Sequence, residues 1–229
     1  MDSAEPLVSA VIPAHDCERY IGAAIESALA QTYARIEVIV VDNASRDGTS
    51  AVARGFGERA RLVYEGRRGI GPARNAGIGA CRGDYVAFLD CDDIWMPEKT
   101  ETQLAAFTAD PRPDVVLGHV QQFASPDLDP AVAAELRIPE APQPGLVIGA
   151  ALAPREVFAR VGPWREEVEV SDGLEWFLAA RRLGLREVML PEVVTRRRVH
   201  DRNTSRLRRT RRTEWAKVLK RELDERRED

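Results

Sequence analysis

Gly83-Asp84-Tyr85-Val86-Ala87-Phe88-Leu89-Asp90-Cys91-Asp92-Asp93 is the stretch that decides how the rest of the chain is arranged. Its apolar run, rich in β-branched and aromatic residues, predicts a buried strand. The run stops abruptly at three carboxylates. Like charges this close repel one another and raise each other's pKa unless a cation lies between them, and hard oxygen ligands favour Mg²⁺ or Mn²⁺. A divalent ion held there favours a phosphate-bearing ligand in turn. Cys91, inside the acidic run, reads as a small filler.

Working back towards the N-terminus, two more apolar runs end in polar groups. Leu7 to Ile12 predicts a first strand stopped at Pro13, which has no N–H to donate, and Ala14-His15-Asp16 follows. Ile36 to Val41 predicts a second strand ending in Asp42-Asn43-Ala44-Ser45. Between them Ile21, Ala24, Ile25, Ala28 and Leu29 recur at helical spacing, with Asp16 placed to cap the helix. Asp47-Gly48-Thr49-Ser50 opens a second helix, and Arg61 to Glu65 offers a third strand. Strands alternating with helices over ninety residues imply a parallel sheet covered on both faces. Ligands of such sheets sit beyond the carboxyl ends of the strands, which places Pro13 to Asp16, Asp42 to Ser45 and Asp90 to Asp93 on one rim.

The loop Gly66-Arg67-Arg68-Gly69-Ile70-Gly71-Pro72-Ala73-Arg74 only partly resembles a dinucleotide fingerprint. Arg74 stands where the third glycine belongs, and the loop follows the third strand instead of the first. The following helix offers Arg74 and Asn75 in its first turn, where an arginine can reach a phosphate.

Working forward, Met96-Pro97-Glu98 predicts a helix to about Phe107 with proline at its first position, and Asp114 to Val120 a strand. Ser125 to Pro144 reads as an irregular excursion with one short helix near Ala131 to Leu136. Gly145 to Ala151 reads as a strand and Pro154 to Phe158 as a short helix. Ser171 is a good N-cap for a helix with Leu174, Phe177 and Leu178 facing inward, and Gly184 ends it. Asp172 and Glu175 stand three apart in its first turn, on adjacent parts of one face, where one of them can act as a general base. Val188 to Leu190 and Val193 to Thr195 predict two short strands before Arg196 to Asn203. From Ser205 an amphipathic pattern, with Leu207, Trp215, Val218, Leu219 and Leu223 flanked by Arg and Lys, predicts a basic C-terminal helix. It suits packing on its own domain, partner docking or peripheral attachment to an acidic membrane surface.

With 37 acidic and 33 basic residues the net charge is -4, which gives no general reason to expect nucleic acid. Three cysteines without metal-ligand spacing, an odd number, argue against a disulfide framework and for a reducing compartment. No basic region followed by an apolar one opens the chain, and no apolar run reaches membrane-spanning length, so a cytoplasmic location is expected.

Val11-Ile12-Pro13-Ala14-His15-Asp16, Glu37 to Thr49, Gly71-Pro72-Ala73-Arg74-Asn75-Ala76-Gly77 and Phe88-Leu89-Asp90-Cys91-Asp92-Asp93 occur in the order of the motifs of the family 2 glycosyltransferases, and the chain resembles that family from Val8 to about Asn203. The resemblance implies a single α/β domain of the GT-A fold, a Rossmann-like, mostly parallel sheet flanked by helices. Residues 1–204 would form it, with 1–95 binding the nucleotide-sugar and 96–204 on the acceptor side, followed by the helix of 205–229. It implies that Pro13, His15 and Asp42 border the nucleoside, beside the rim residues Asp16 and Asn43. Arg74 would support the nucleotide, Asp90 would lie near ribose and metal, and Asp92 would be the principal ligand of Mn²⁺ or Mg²⁺. Arg198 and His200 resemble a late Arg-x-His feature near diphosphate or metal. The helix at Asp172 to Trp176 resembles the acidic acceptor-side motif. Its register leaves Asp172, the preferred candidate, and Glu175 as alternatives for the base.

The activity so implied is metal-dependent, inverting transfer of a sugar from a nucleotide-sugar, UDP favoured, to a hydroxyl acceptor. A nucleotidyltransferase on the same architecture would want a glycine-rich basic loop after the first strand, where Pro13-Ala14-His15-Asp16 stands. A catalytically silent sugar-nucleotide or glycan-binding module would not need the acidic rim.

Overall fold

A computed structural model describes residues 5–166, 172–201 and 203. The amphipathic segment of 205–229 and the N-cap expected at Ser171 lie outside the described residues.

The first half follows the expected alternation. Strands β1 (Val8–Ala14), β2 (Ile36–Asp42), β3 (Ala60–Tyr64) and β4 (Tyr85–Phe88) form a parallel sheet in the order β3-β2-β1-β4. Side chains alternate between its faces with the period of two that a strand dictates. Val8, Ala10, Ile12, Val38, Val40, Tyr85, Ala87 and Leu89 pack on one side. Helix α1 (Glu18–Leu29) covers that side with Tyr20, Ile21, Ala24, Ile25 and Ala28, and helix α2 (Thr49–Arg54) adds Ala53. Val11, Ile39, Val41, Val86 and Phe88 point the other way, against Ala73 of helix α3 (Ile70–Ala80). A side chain at Gly77 would collide with Val11, so glycine there lets α3 lie directly on β1.

Beyond β4 the sheet becomes mixed. Strand β5 (Ile94–Trp95) and helix α4 (Lys99–Ala106) lead to β6 (Val115–Ala124), helix α5 (Pro130–Ala134) and the two-residue β7 (Gln143–Pro144). A 3-10 turn at Ile148–Ala150 then leads into β8 (Ala151–Pro154), helices α6 (Arg155–Val161) and α7 (Asp172–Arg182), and β9 (Glu187–Val199). The order continues β4-β8-β6-β9-β5, with β8 antiparallel to both neighbours and β9 parallel to β6. On the α3 side, α6 and α7 bury Val157, Phe158, Trp176, Phe177 and Ala180. Phe88, Phe158, Trp164, Trp176 and Phe177 form one aromatic cluster with ring centroids 5.1 to 6.2 Å apart.

Five local expectations are corrected. The helix expected from Met96 begins at Lys99, because Met96 pairs its N–H with Val194 O (3.0 Å) while the carbonyls of Met96 and Pro97 accept from Gln31 and Thr32. The strand expected over Gly145 to Ala151 is a 3-10 turn followed by β8. The two short strands expected after Arg186 are one, β9, which runs through Pro191 because an irregularity in its pairing with β6 absorbs the residue that cannot donate. Asp16 does not cap α1: its carboxylate accepts from Arg46 N (2.7 Å), and the N–H groups of Cys17 and Glu18 are taken by Thr49 Oγ1 and Asp47 instead. In α7 the inward face is Trp176, Phe177 and Ala180, with Leu174 and Leu178 partly buried.

Candidate active site

Parallel register aligns the strand ends. Ala14 pairs with Asp42, and Val11 pairs with Phe88, so the turn after β4 emerges beside Pro13. The three polar clusters far apart in sequence thus share one rim. Both flanking turns pass through the left-handed region at a non-glycine residue, Asp16 (φ 48°) and Ala44 (φ 53°), a strain that concentrates at functional sites.

On the β2 side, Asp42 is buried and accepts hydrogen bonds from Ser45 N (3.0 Å) and from Ser50 Oγ. Burial alone would raise its pKa, but the hydrogen bonds from Ser45 and Ser50 outweigh it and hold the carboxyl below its ordinary range. Asn43 is a clip. Its amide donates to the carbonyls of Glu65 (3.2 Å) and Arg67 (2.6 Å), and its Oδ1 accepts from Gly69 N (2.8 Å). Gly69 lies at φ 139°, which its lack of a Cβ permits, and the clip fixes the glycine-rich loop against the rim. His15 donates from Nδ1 to Asn43 O (2.7 Å), so its Nε2 accepts from Arg68 (2.6 Å). Asp16 approaches the same nitrogen at 3.3 Å.

On the β4 side, Arg74 is buried with its guanidinium over Phe88 (5.7 Å) and Trp164 (5.6 Å) and 3.8 Å from Asp90. Burial pushes its pKa down to about 10, against the pull of Asp90. Asp90, half-exposed, is raised by loss of bulk solvent and by Asp92, and lowered by Arg74. Asn75 is not aimed at the rim. Its amide holds both Trp164 O and Trp164 N at 2.9 Å and ties α3 to the aromatic cluster.

Asp92 is where the two halves meet. His200 Nε2 donates to its Oδ2 (2.9 Å), and Asn203 Nδ2 donates to the same oxygen (3.2 Å). Asn203 also accepts from His200 N (2.6 Å) and donates to Arg198 O (3.1 Å), closing the turn after β9. The backbone N–H of Arg198 donates to Asp93 (2.8 Å) and its Nε to Asp92 O (2.9 Å). The Arg198 guanidinium lies between the rings of Tyr20 (4.9 Å) and Phe123 (4.8 Å). Asp93 is buried, and its carboxyl is pushed well above the ordinary range by that burial and by Asp92 and Asp90. Asn203 and Tyr20 were not singled out from the sequence, and Asp93 entered only as a member of the acidic run. Arg198-x-His200-x-x-Asn203, running off the end of a strand, is the signal that could have found the first.

Helix α7 begins at Asp172, so Asp172 and Glu175 both fall in its first turn, and Glu175 is partly buried there. Trp176 and Phe177 anchor that turn in the aromatic cluster. Among the described residues, no three His, Cys, Asp or Glu side chains converge as a metal cage, and no helix is long and apolar enough to cross a membrane.

A nucleotide-binding-type sheet with an acidic rim at the carboxyl ends of its strands and an acidic helix on its second half is the GT-A arrangement. The family model for glycosyl transferase family 2 matches residues 9–143, and the chain belongs to that family. An uncharacterized glycosyltransferase of Rickettsia typhi is 31% identical over 220 residues, 87% of this chain and 66% of its own length. The chondroitin synthase of Escherichia coli is 39% identical over 108 residues, 46% of this chain and 16% of its own length. The chain thus matches no more than two thirds of either relative. Among solved structures, a mannosyltransferase of Pyrobaculum calidifontis in complex with GDP-Man and Mn²⁺ superposes with a TM-score of 0.69 at 24% identity, covering 99% of this chain and 66% of that one. TarS of S. aureus in complex with UDP-GlcNAc gives 0.67 at 19% identity, over 86% and 60%. Glucosyl-3-phosphoglycerate synthase of Mycobacterium tuberculosis in complex with Mn²⁺ and UDP gives 0.66 at 24% identity, over 95% and 80%. These likenesses establish the fold.

Proposed function

We propose that this chain binds a nucleoside-diphosphate sugar on the rim and transfers the sugar, with inversion, to a hydroxyl acceptor on the α7 side. The observation that carries the proposal is the Asp92 junction, where a carboxylate at the end of the nucleotide half is gripped by His200 and Asn203 from the end of the second half. Asp42 and His15 stand where a base and ribose would lie beyond β1 and β2, and the Asn43 clip shapes that wall. The neighbours' complexes with UDP, UDP-GlcNAc and GDP-Man support a nucleotide-sugar donor. UDP remains the favoured nucleotide.

The residues present fit a divalent ion. Mn²⁺ and Mg²⁺ sites in such enzymes use one or two carboxylates completed by substrate phosphates and water, so a ready-made protein cage is not required. Asp92 and the half-exposed Asp90 would supply the carboxylates, in keeping with the Mn²⁺ in two of the neighbours. Bound there, the ion would offset charge on the departing diphosphate. With Nε2 donating to Asp92, His200 acts as the group that orients this carboxylate. Arg74, buried beside Asp90, holds positive charge near the same place. Asp172, with Glu175 as the alternative, takes the acceptor hydroxyl's proton as the oxygen attacks the anomeric carbon from the face opposite the diphosphate. No covalent sugar–enzyme bond forms in such a displacement.

The test is a panel of UDP-, GDP- and dTDP-sugars with Mn²⁺, with Mg²⁺ and with chelator. The expected result is metal-dependent nucleotide release from one donor and a product whose anomeric configuration is opposite to the donor's by NMR. Retained configuration, or nucleotide release indifferent to chelator, would overturn the mechanism.

A further inference from the structure

The turn at Ile148–Ala150 lies between the two sides of the site, and it is held with unusual completeness. Two carbonyls of the turn and the next one, at the start of β8, are each gripped by a buried side chain: Gly149 O by Thr195 Oγ1 (3.0 Å), Ala150 O by Gln103 Nε2 (2.9 Å) and Ala151 O by Lys99 Nζ (3.4 Å). Gln103 also donates to Val116 O (2.9 Å) and accepts from Lys99 (2.5 Å), so α4, β6 and the turn are tied at one point. Lys99 sits over the Trp95 ring (4.7 Å) and is 1% exposed, Gln103 is 0% exposed and Thr195 2%. A polar trio buried this deeply is costly unless it fixes something.

What it fixes is visible at two glycines. A methyl group at Gly149 would lie 4.0 Å from Asp90 Oδ2, and one at Gly173 would lie 3.9 Å from Ile148 N. One edge of the turn therefore faces the donor-side carboxylate, and the other backs onto the first turn of α7, which carries Asp172 and Glu175. We propose that Lys99, Gln103 and Thr195 are positioning residues that hold the Ile148–Ala150 turn as a spacer, setting the sugar's place between Asp90 and the acidic helix. This rests on the donor reading given above. All three are buried. They act through the turn, and a displacement of about an ångström at a reacting centre is enough to cost up to about a hundredfold in rate.

Two isosteric changes separate this role from general stabilisation. Thr195→Val removes one hydroxyl from Gly149 O while keeping its shape, and Thr195→Ser restores the donor. Gln103→Met releases Ala150 O. Binding of UDP with Mn²⁺ by calorimetry and hydrolysis of the donor identified by the panel are measured for each, alongside the melting temperature. The expected result is UDP affinity within about twofold of the parent, donor hydrolysis reduced about tenfold or more in Thr195→Val and Gln103→Met, and recovery in Thr195→Ser. Equal losses of UDP binding and hydrolysis, or unchanged hydrolysis in folded Thr195→Val, would overturn the positioning role. Failure of the unaltered protein to bind any nucleotide would overturn the donor reading, and the spacer with it.

Discussion

The two halves of the rim are fixed in different ways. At the ends of β1 and β2 each polar side chain is secured by adjoining turns: Asp42 by Ser45 and Ser50, Asn43 by the loop at 65–69, His15 by Asn43 and Arg68. In the second half the groups arrive from a distance. His200 and Asn203 reach Asp92 across 108 and 111 residues, and α7 is aimed by an aromatic cluster assembled from α6, α7 and β4. The nucleotide wall is thus built by hydrogen bonds among neighbouring turns of the parallel half, whereas the acceptor wall depends on core packing. Damage to the second half should cost turnover and stability before it costs nucleotide affinity.

The sharpest break is expected from the acid pair. Asp172→Asn or Glu175→Gln, whichever removes the base, should lower kcat by about 10² to 10⁴ fold while leaving the donor's Kd nearly unchanged, a split that steady-state kinetics and calorimetry resolve. The other substitution should have a much smaller effect, which assigns the base. Next in size, Phe177→Ala opens a hole under α7 where the ring is fully buried. It should destabilise the protein by about 3–5 kcal/mol in urea unfolding, with UDP affinity spared in the fraction that folds.

On the nucleotide side the effect is smaller and of opposite character. Asn43→Ala leaves Glu65 O, Arg67 O and Gly69 N without their shared partner and should cost about 1–3 kcal/mol. UDP affinity should fall with it, unlike in Phe177→Ala. Equal loss of nucleotide affinity in both variants would erase the distinction between the halves.

The mildest expectation concerns pH. Burial pulls Lys99 from an ordinary 10.5 down to about 7, so between those values the unfolded chain holds a proton that the folded chain has released. That contribution to stability is smallest below pH 7 and grows as pH rises towards 10.5. Melting curves from pH 6.5 to 9.5 should show Lys99→Met losing the rise that the parent shows, relative to parent at each pH. An identical slope in both would mean that Lys99 is not depressed.

This contrast also explains what could be read from the sequence. The parallel half was legible because strand period, strand-ending polar residues and register are all local, so Asp42, Asp90 and Asp92 fell on one rim by topology alone. Asn43 was placed correctly on that rim, but nothing local showed that the loop at 65–69 would take up its amide. The continuity of β9 through Pro191 depends on β6, more than sixty residues earlier, and the late start of α4 depends on Gln31 and Val194. The grip of Asn203 on Asp92 and the buried Lys99–Gln103–Thr195 trio are tertiary facts with only faint sequence signals. Nothing in the sequence of α4 marks Lys99 as buried.

The most direct measurement is a calorimetric titration of the donor selected by the panel into the parent protein and Asp92→Ala, each with Mn²⁺ and with chelator. The account expects binding to the parent that falls at least about tenfold with chelator, and an Asp92→Ala protein that still folds, with a lower melting temperature because His200 and Asn203 lose their shared acceptor, but binds weakly whether or not Mn²⁺ is present. Undiminished, Mn²⁺-dependent binding to folded Asp92→Ala would contradict it.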